Sequence, residues 1–481
     1  MNSLELPKIK EDLEKLIGKE NVSNTFYKVS EYCINHVAKN IFAMSKTEPF
    51  IVARPQKLDQ LVKIVKYAFE MSIPLFIRGG GTGYSGGEVP TSSGIVIELT
   101  GLNRIINVDD KGRYVTCEAG ITVKELNEYL QKNHNLTWFH DPGSRDWATV
   151  GGSVSTLGVG AFSTKYGYAH NTVVAMKIVT ADGEIVEIGN KIRNDYASYN
   201  FIDLFASSEG TLGIIAEVTL KVFPEPKSRR IILGVFKDFH DAVRSCYDIV
   251  DSGLYPESLM IEDTLRFLLE GIAPHINLDD PILAPYEFDK SQAVLIVTFA
   301  GKEDIVNICQ EKTKEMLKLN GAKIIENEMI INAYWKSKTE LPSWSKAMEN
   351  VKIHSFVPAI PLSRAAEFNE AYDRLVKDLN LNKAGARYYV ILPWMECTVS
   401  PSILLNDNDI NDIRAYEEFT KRFSEVVMRL GGTPASTTGV GMRLIDILEK
   451  LLPPSQMMLA KKIKLTLDPK GILSPNKKLK L

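Results

Sequence analysis

Apolar residues recur at helical spacing near the start of the chain. Leu6, Ile9, Leu13 and Leu16 stand among charges and predict a short amphipathic helix over 5–18. FIVARP (50–55) reads as a strand stopped by Pro55. Over 56–70, Leu58, Leu61, Val62, Val65 and Phe69 share one helical face, and PLFIRGG returns to strand. Strands are also expected at 95–99, 104–109 and 113–119. Thr122 followed by Glu125 is a capping-box signal, in which each side chain satisfies the other's backbone amide, and it opens a helix over 123–133. The pattern then breaks. Residues 140–167 hold no steady period, and their glycines and small residues let backbone approach a large ligand closely. Residues 173–180 and 184–189 flank Ala181-Asp182-Gly183 as a hairpin, and 209–226 feeds a strand that ends in a proline turn.

The texture changes near residue 227. A strand–helix–strand order appears at 231–262, again at 293–328 and a third time at 354–394. Three such units predict a separate α+β domain with helices against a mainly antiparallel sheet. A helix over 409–430 leads into the glycine-rich turn 431–441, and 465–477 reads as an ordered tail with two turns.

At 481 residues the chain exceeds the size at which one core stops growing, so more than one domain is expected. Its 57 Lys and Arg against 60 Asp and Glu leave a net charge of −3, which removes the basic excess of a dedicated nucleic-acid binder. The charged opening lacks the apolar core of a signal peptide, and no run approaches the roughly 18 apolar residues of a spanning helix. A cytoplasmic protein is expected, with peripheral contact at the inner face of a membrane left open. Five scattered cysteines without a CxxC pair predict free thiols. Seven histidines form no HxH or HExxH motif, so no metal site is expected.

The candidate chemistry sits in loops. RGGGTGYSGG (78–87) has six glycines in ten residues, and consecutive amides in such a loop cradle phosphate. As a mere connector it would carry a needless entropic cost. Gly81-x-Gly83-x-x-Gly86 matches the dinucleotide fingerprint formally but runs into EVPTSSG rather than opening a helix, and a Walker GK[ST] is absent. With 140–167 and 206–214, this loop suits a long ligand carrying a pyrophosphate, such as a flavin dinucleotide. His140, Ser144, Thr149 and Ser153 are candidate hydrogen-bonding partners. A purely structural reading, with 151–160 a close-packed glycine turn, stands beside this one.

IPLFIRGGGTGYSGG (73–87), CEAGITVKELNEYL (117–130), DPGSRDWATVGGSVSTLGVGAFSTKYG (141–167), SSEGTLGIIAEVTLKVFPEP (207–226) and LDPKGILSPNK (467–477) follow one another in a familiar order. The sequence resembles the FAD-linked oxidases and dehydrogenases of the vanillyl-alcohol-oxidase fold, with a PCMH-type FAD-binding domain. The resemblance implies an α+β FAD-binding domain of two subdomains over 1–226, a substrate or cap domain over 227–430, and a segment over 431–481 that completes the first. It implies that Arg78, Gly79, Gly80, Gly81, Thr82, Gly83, Ser85 and Gly86 hold the pyrophosphate. Pro142, Gly143, Thr149, Gly151, Gly152 and Ser153 would line the cofactor, and Glu209, Gly210 and Ile214 would meet its ribose or adenine side. Gly87 is not a histidine, and the FAD is expected to be held non-covalently.

Within the family the chain looks most like bacterial-type D-lactate dehydrogenases and glycolate oxidase flavoprotein subunits. That likeness implies oxidation of a small 2-hydroxy acid by hydride transfer to flavin N5. The electrons would pass to a quinone, a cytochrome or an electron-transfer protein, and a homodimer is one option for assembly. The chain departs from those relatives where they carry histidines: it reads VILPWMECTVS (390–400), and it has Thr437 and Thr438 where Glu and His would stand. A phenolic alcohol oxidase, an enzyme like alkylglycerone-phosphate synthase, and a non-catalytic electron-transfer subunit therefore stay open. Arg387 and Arg443 are candidate anion clamps, with surface ion pairs as the alternative. Glu396 and His354 are candidate bases, one of Tyr388 and Tyr389 faces a cavity (Tyr389 is the catalytic candidate), and Trp335 and Trp344 are candidate pocket walls.

Overall fold

The computed structural model describes residues 6–23, 50–192, 197–289, 292–337, 352–381, 387–392, 395–405 and 409–481. The first sheet orders the strands Val22–Ser23, Phe50–Ala53, Gly94–Glu98 and Leu75–Arg78 side by side, the last three parallel. Parallel strands are covered on both faces, which is why Ile95, Val96 and Ile97 run apolar without alternation and are all fully buried. The helix Leu58–Met71 lays Leu61, Ile64, Val65 and Ala68 into the same core. A second sheet of five antiparallel strands follows, and Val173–Val179 pairs with Ile185–Gly189 as the expected hairpin. The helix Val123–His134 carries both hydrogen bonds of the Thr122–Glu125 capping box.

A seven-stranded sheet organises the residues after 227. Its order is Lys323–Ile324, Ser228–Phe236, Ala293–Gly301, Ser258–Asp263, Tyr388–Ile391, Glu396–Val399 and Ala359–Pro361, antiparallel throughout. Side chains alternate across it. Leu259, Ile261, Tyr389, Ile391, Cys397 and Val399 share a core with the helices Phe239–Asp251, Ala365–Asp378 and Ile410–Arg429. Met260, Val390 and Ile296 face the other way, against Phe267, Tyr334 and two residues from the first part of the chain, Val159 and Ala161. One face of this sheet is thus sealed by three helices, and the other packs on the helix Glu328–Ser337 and looks toward the glycine-rich loops.

Two local expectations changed. The strand expected over 354–360 splits into Lys352–Ser355 and Ala359–Pro361, with Pro358 between them, and the first piece pairs with Ser402–Leu405 in a sheet of its own. The aperiodic 140–167 contains a short helix, Val150–Ser155, capped by the Thr149 hydroxyl. The chain then returns to its beginning. The Leu75 amide donates to the Ile472 carbonyl at 2.7 Å, and Ile472 and Leu473 enter the first core. Cys117, Cys246, Cys309 and Cys397 are free thiols, and Cys33 lies outside the described residues.

Candidate active site

Four loops meet at one place. A Cβ on Gly80 would sit 1.7 Å from the Trp147 carbonyl oxygen, so only glycine lets 78–87 lie this close to 140–167. The Thr437 hydroxyl accepts from the Val159 amide at 2.7 Å, which brings in 431–441. The Ser85 hydroxyl donates to the Gly439 carbonyl at 2.9 Å, and the Ser85 carbonyl accepts from the Met442 amide at 2.9 Å. Glu209 sits in the left-handed region at φ 52° and offers one carboxylate oxygen to each of the Val440 and Gly441 amides, both at 2.9 Å. A non-glycine residue held there is strained and persists because its neighbours fix it.

Charge is buried beneath this junction. Lys477, 1% exposed, donates its Nζ to the Gly86 carbonyl at 2.6 Å. Burial pushes its pKa down to about 7, with the Glu88 and Glu209 carboxylates opposing that shift. Oε1 of Glu88 is buried without a hydrogen-bond partner. His140, its ring 4.9 Å from that of Trp138 and tilted 49° to it, has a buried Nε2 without a partner among the described residues, and burial lowers its pKa to about 3, so the ring is neutral.

The cap sheet closes over the loops. The Thr164 hydroxyl donates to the Ile391 carbonyl at 2.7 Å and accepts from the Leu259 amide at 3.0 Å. The Tyr168 hydroxyl donates to the Glu396 carboxylate. Arg443 is 7% exposed; its guanidinium lies 4.7 Å over the Phe356 ring, and one terminal nitrogen donates to the Ser355 carbonyl at 2.7 Å. Its Nε makes no hydrogen bond, and no carboxylate pairs with it among the described residues. A buried guanidinium with an unused N–H is suited to take an anionic oxygen.

An extended ligand with an anionic centre fits these groups. The junction supplies close-packed glycine backbone, an unused Arg443 N–H, and open space at Gly143, where an added Cβ would meet nothing within 4 Å. Residues 49–189 match the family model of the FAD binding domain, and residues 225–478, more than half the chain, match that of the C-terminal domain of FAD linked oxidases. The chain belongs to the FAD-linked oxidases.

It is therefore an oxidoreductase with FAD as its cofactor. The D-lactate dehydrogenase of Archaeoglobus fulgidus is 28% identical over 91% of this chain and 93% of its own length. The glycolate oxidase subunit GlcD of Bacillus subtilis is 25% identical over 98% and 96%. Among solved structures, p-cresol methylhydroxylase with substrate bound superimposes with a TM-score of 0.82 at 16% identity, covering 100% of this chain and 98% of that one, which shows a shared fold.

In this FAD-linked oxidase the residues singled out from sequence divide into two groups. Gly79 and Gly80 pack against Thr149 and Trp147 at the junction, and Gly86 carries the Lys477 contact. Several others have different occupations from those expected. Glu209 spends both carboxylate oxygens on the 440–441 turn rather than presenting them to a ribose, and the Ser85 side chain is spent on Gly439. The Ile214 side chain is fully buried in the first core, which leaves only its backbone for a ligand.

Arg387 and Tyr389 require correction as catalytic candidates. Tyr389 lies on the helix-sealed face of the sheet, bonded to Asn369 at 3.2 Å. Arg387 is held by Asp373 at 2.6 Å and stacks over Tyr372, on that same side. Both point away from the junction because residues two apart on a strand share a face. Glu396 has the opposite parity from Cys397 and Val399 and faces the loops. His354 lies on the strand Lys352–Ser355, its side chain outside the described set, as is Trp344. Sequence reading missed Tyr168, Thr164, Glu88 and Lys477. The one signal available was a lysine in a tail otherwise anchored by apolar residues. Among the described residues no His, Cys, Asp and Glu are grouped so as to hold a metal ion, and no helix is long and apolar enough to cross a membrane.

Proposed function

We propose that the chain oxidises a small 2-hydroxy acid of the D-lactate or glycolate kind and passes the electrons to an acceptor other than a nicotinamide: a quinone, a cytochrome or an electron-transfer protein. The observation that carries this reading is Arg443, a buried cation that meets no carboxylate among the described residues and whose Nε–H makes no hydrogen bond to them. A hydroxy acid brings the missing carboxylate. Relatives named D-lactate dehydrogenase and glycolate oxidase subunit support the same substrate class. We assign 1–226 and 431–481 to the FAD-binding part and 227–430 to the substrate part. The charge pattern and the lack of a spanning helix among the described residues support a cytoplasmic enzyme touching, at most, the inner face of a membrane.

When bound, FAD supplies the two-electron acceptor for the hydride that leaves the substrate carbon. Arg443 holds the carboxylate and sets the orientation of the hydroxyl-bearing carbon. Glu396 takes the hydroxyl proton on a carboxylate oxygen, while the Tyr168 hydroxyl, bonded to that carboxylate, fixes its direction. Thr164 ties the loop to two cap strands and keeps water out of the join. Anaerobic mixing tests the reading. D-lactate or glycolate should bleach the flavin absorbance of the holoenzyme, and Arg443→Met should lose this response at low acid concentration while keeping its flavin. Bleaching by a phenolic alcohol alone would overturn it, as would exchange on an acylated dihydroxyacetone phosphate without net bleaching.

A further inference from the structure

A cavity of about 350 Å³ opens between the helix Val123–His134 and the face of the cap sheet that carries no long helices. Its floor holds two hydroxyls. Ser258 and Thr298 are direct register partners on neighbouring antiparallel strands, and each residue is 2% exposed. Neither side chain is hydrogen-bonded to any described residue, although both border the cavity. Both hydroxyls open onto the cavity, and two of them side by side form a ready site for one oxygen atom.

The walls nearest the hydroxyl pair are apolar and aromatic, while the helix side adds polar residues such as Lys124, Asn127, Glu128 and Gln131. Ile231, Met260 and Ile296 surround the hydroxyl pair on the sheet. Opposite them, the Phe139, Phe162 and Trp335 rings gather around the Arg229 guanidinium, with centroids 5.8, 5.3 and 5.9 Å away. Unlike Arg443, this cation is already answered. Arg229 pairs with Glu257 at 2.8 Å and with Glu225 at 3.4 Å, and Lys124 at the rim pairs with Asp146 at 2.8 Å. Arg145, the other arginine of the lining, is partnered as well, so a bare carboxylate entering here would lose its hydration and meet no spare positive charge. A flat uncharged ring would gain ring and aliphatic contacts on both faces. The volume lies at the small end of ligand pockets, which run from roughly 300 to 1,000 Å³, and suits a single ring.

We propose that this cavity is a second binding site, distinct from the acid site at Arg443, for an uncharged planar ring whose oxygen bonds the Ser258 and Thr298 hydroxyls: a phenol or a quinone. Phenol and quinone share that recognition and differ in their chemistry. A phenolic alcohol would give a hydride to oxidised FAD and a proton to solvent and leave as the aldehyde. A quinone would take two electrons from reduced FAD, with two protons, and leave as the hydroquinone. The site stands whether or not the hydroxy-acid reading does.

The test titrates the FAD-loaded protein with p-cresol and, separately, with 2,3-dimethoxy-5-methyl-1,4-benzoquinone, read by isothermal calorimetry. Wild type should saturate with at least one ring. Ser258→Ala combined with Thr298→Val should weaken binding by about tenfold or more, and Met260→Trp, which fills the cavity, should abolish it. The flavin-to-protein ratio of each variant reports that it has folded. Saturating D-lactate should not displace the ring. No binding of either ring to wild type, equal binding by both variants, or displacement by D-lactate overturns the proposal. The colour of the flavin then separates the sources. Anaerobic bleaching by 4-hydroxybenzyl alcohol marks a substrate, and restored colour on adding the benzoquinone to dithionite-bleached protein marks an acceptor. Binding with neither change still supports the site. Loss of bleaching by D-lactate, with ring binding intact, would remove the hydroxy-acid reading alone.

Discussion

The Tyr168 hydroxyl donates a hydrogen bond to the Glu396 carboxylate, joining the end of the glycine-rich stretch to the open face of the cap sheet. Glu396 has the strand parity that faces the loops, and its half-buried carboxylate is the only candidate base named from sequence that both faces the junction and has its side chain described. Glu396→Gln should lower kcat by roughly a hundredfold to ten-thousandfold. Tyr168→Phe keeps the base and loses only its orientation, so kcat should fall by about tenfold. Steady-state kinetics of the two variants read this difference, and an equal fall in both would assign the proton to Tyr168.

Arg443 lies between the Ser85 loop and the cap residues Ser355 and Phe356, bonded to one carbonyl and, among the described residues, to no carboxylate. If it receives the substrate carboxylate, Arg443→Lys should raise the KM for D-lactate by roughly a hundredfold, because an ammonium cannot reproduce the planar fork. The flavin content should stay at the wild-type level. Equilibrium dialysis of FAD alongside steady-state kinetics separates the two ligands. A variant that loses FAD instead would place the pyrophosphate, not the substrate, on this arginine.

Much of the architecture was legible locally, and much of the site was not. The Thr122–Glu125 cap, the hairpin after Val173 and the helix Ile410–Arg429 depend on residues near one another in sequence, so spacing and residue type were enough. The glycines of 78–87 announced a close approach, and Gly80 against the Trp147 carbonyl shows what it approaches. The roles of Glu209 and Ser85 depend on partners 231 and 354 residues away, which no local pattern encodes. Tyr388 and Tyr389 illustrate a narrower limit. A period of two shows that neighbours point oppositely but not which one points inward, and the helices on the far side decide it. Lys477 looked like one more tail lysine, and only the folded chain shows it under the Gly86 carbonyl.

Gly80 offers a test of the junction that involves no catalytic group. An alanine Cβ would fall 1.7 Å from the Trp147 oxygen, so one of the two loops must move away. Gly80→Ala should cost about 1–3 kcal/mol of stability in the apoprotein. It should weaken FAD by about tenfold or more if, as proposed, both loops border the cofactor. Thermal unfolding and flavin-to-protein ratio are the measurements. A Gly80→Ala protein that keeps its stability but loses FAD would show that the glycine serves cofactor access and not loop packing.

Lys477 makes cofactor binding sensitive to pH in a direction that follows from its burial. In the unfolded chain its ammonium has the ordinary value of 10.5, and in the folded chain burial holds it near 7. Between these values the unfolded chain binds a proton that the folded chain has released, so this group makes the apoprotein more stable as pH rises from about 7 toward 10.5. Below about 7 the full cost of burying the charge is present. A pyrophosphate on the neighbouring 78–86 loop would favour the charged form and raise that value again. Binding FAD at about pH 8 should then take up a proton, measured by calorimetry in buffers of different ionisation heat. Lys477→Met should bind FAD without this uptake and should flatten the apoprotein's stability over the same pH range. A Lys477→Met protein that retained the uptake would place the pyrophosphate away from Gly86.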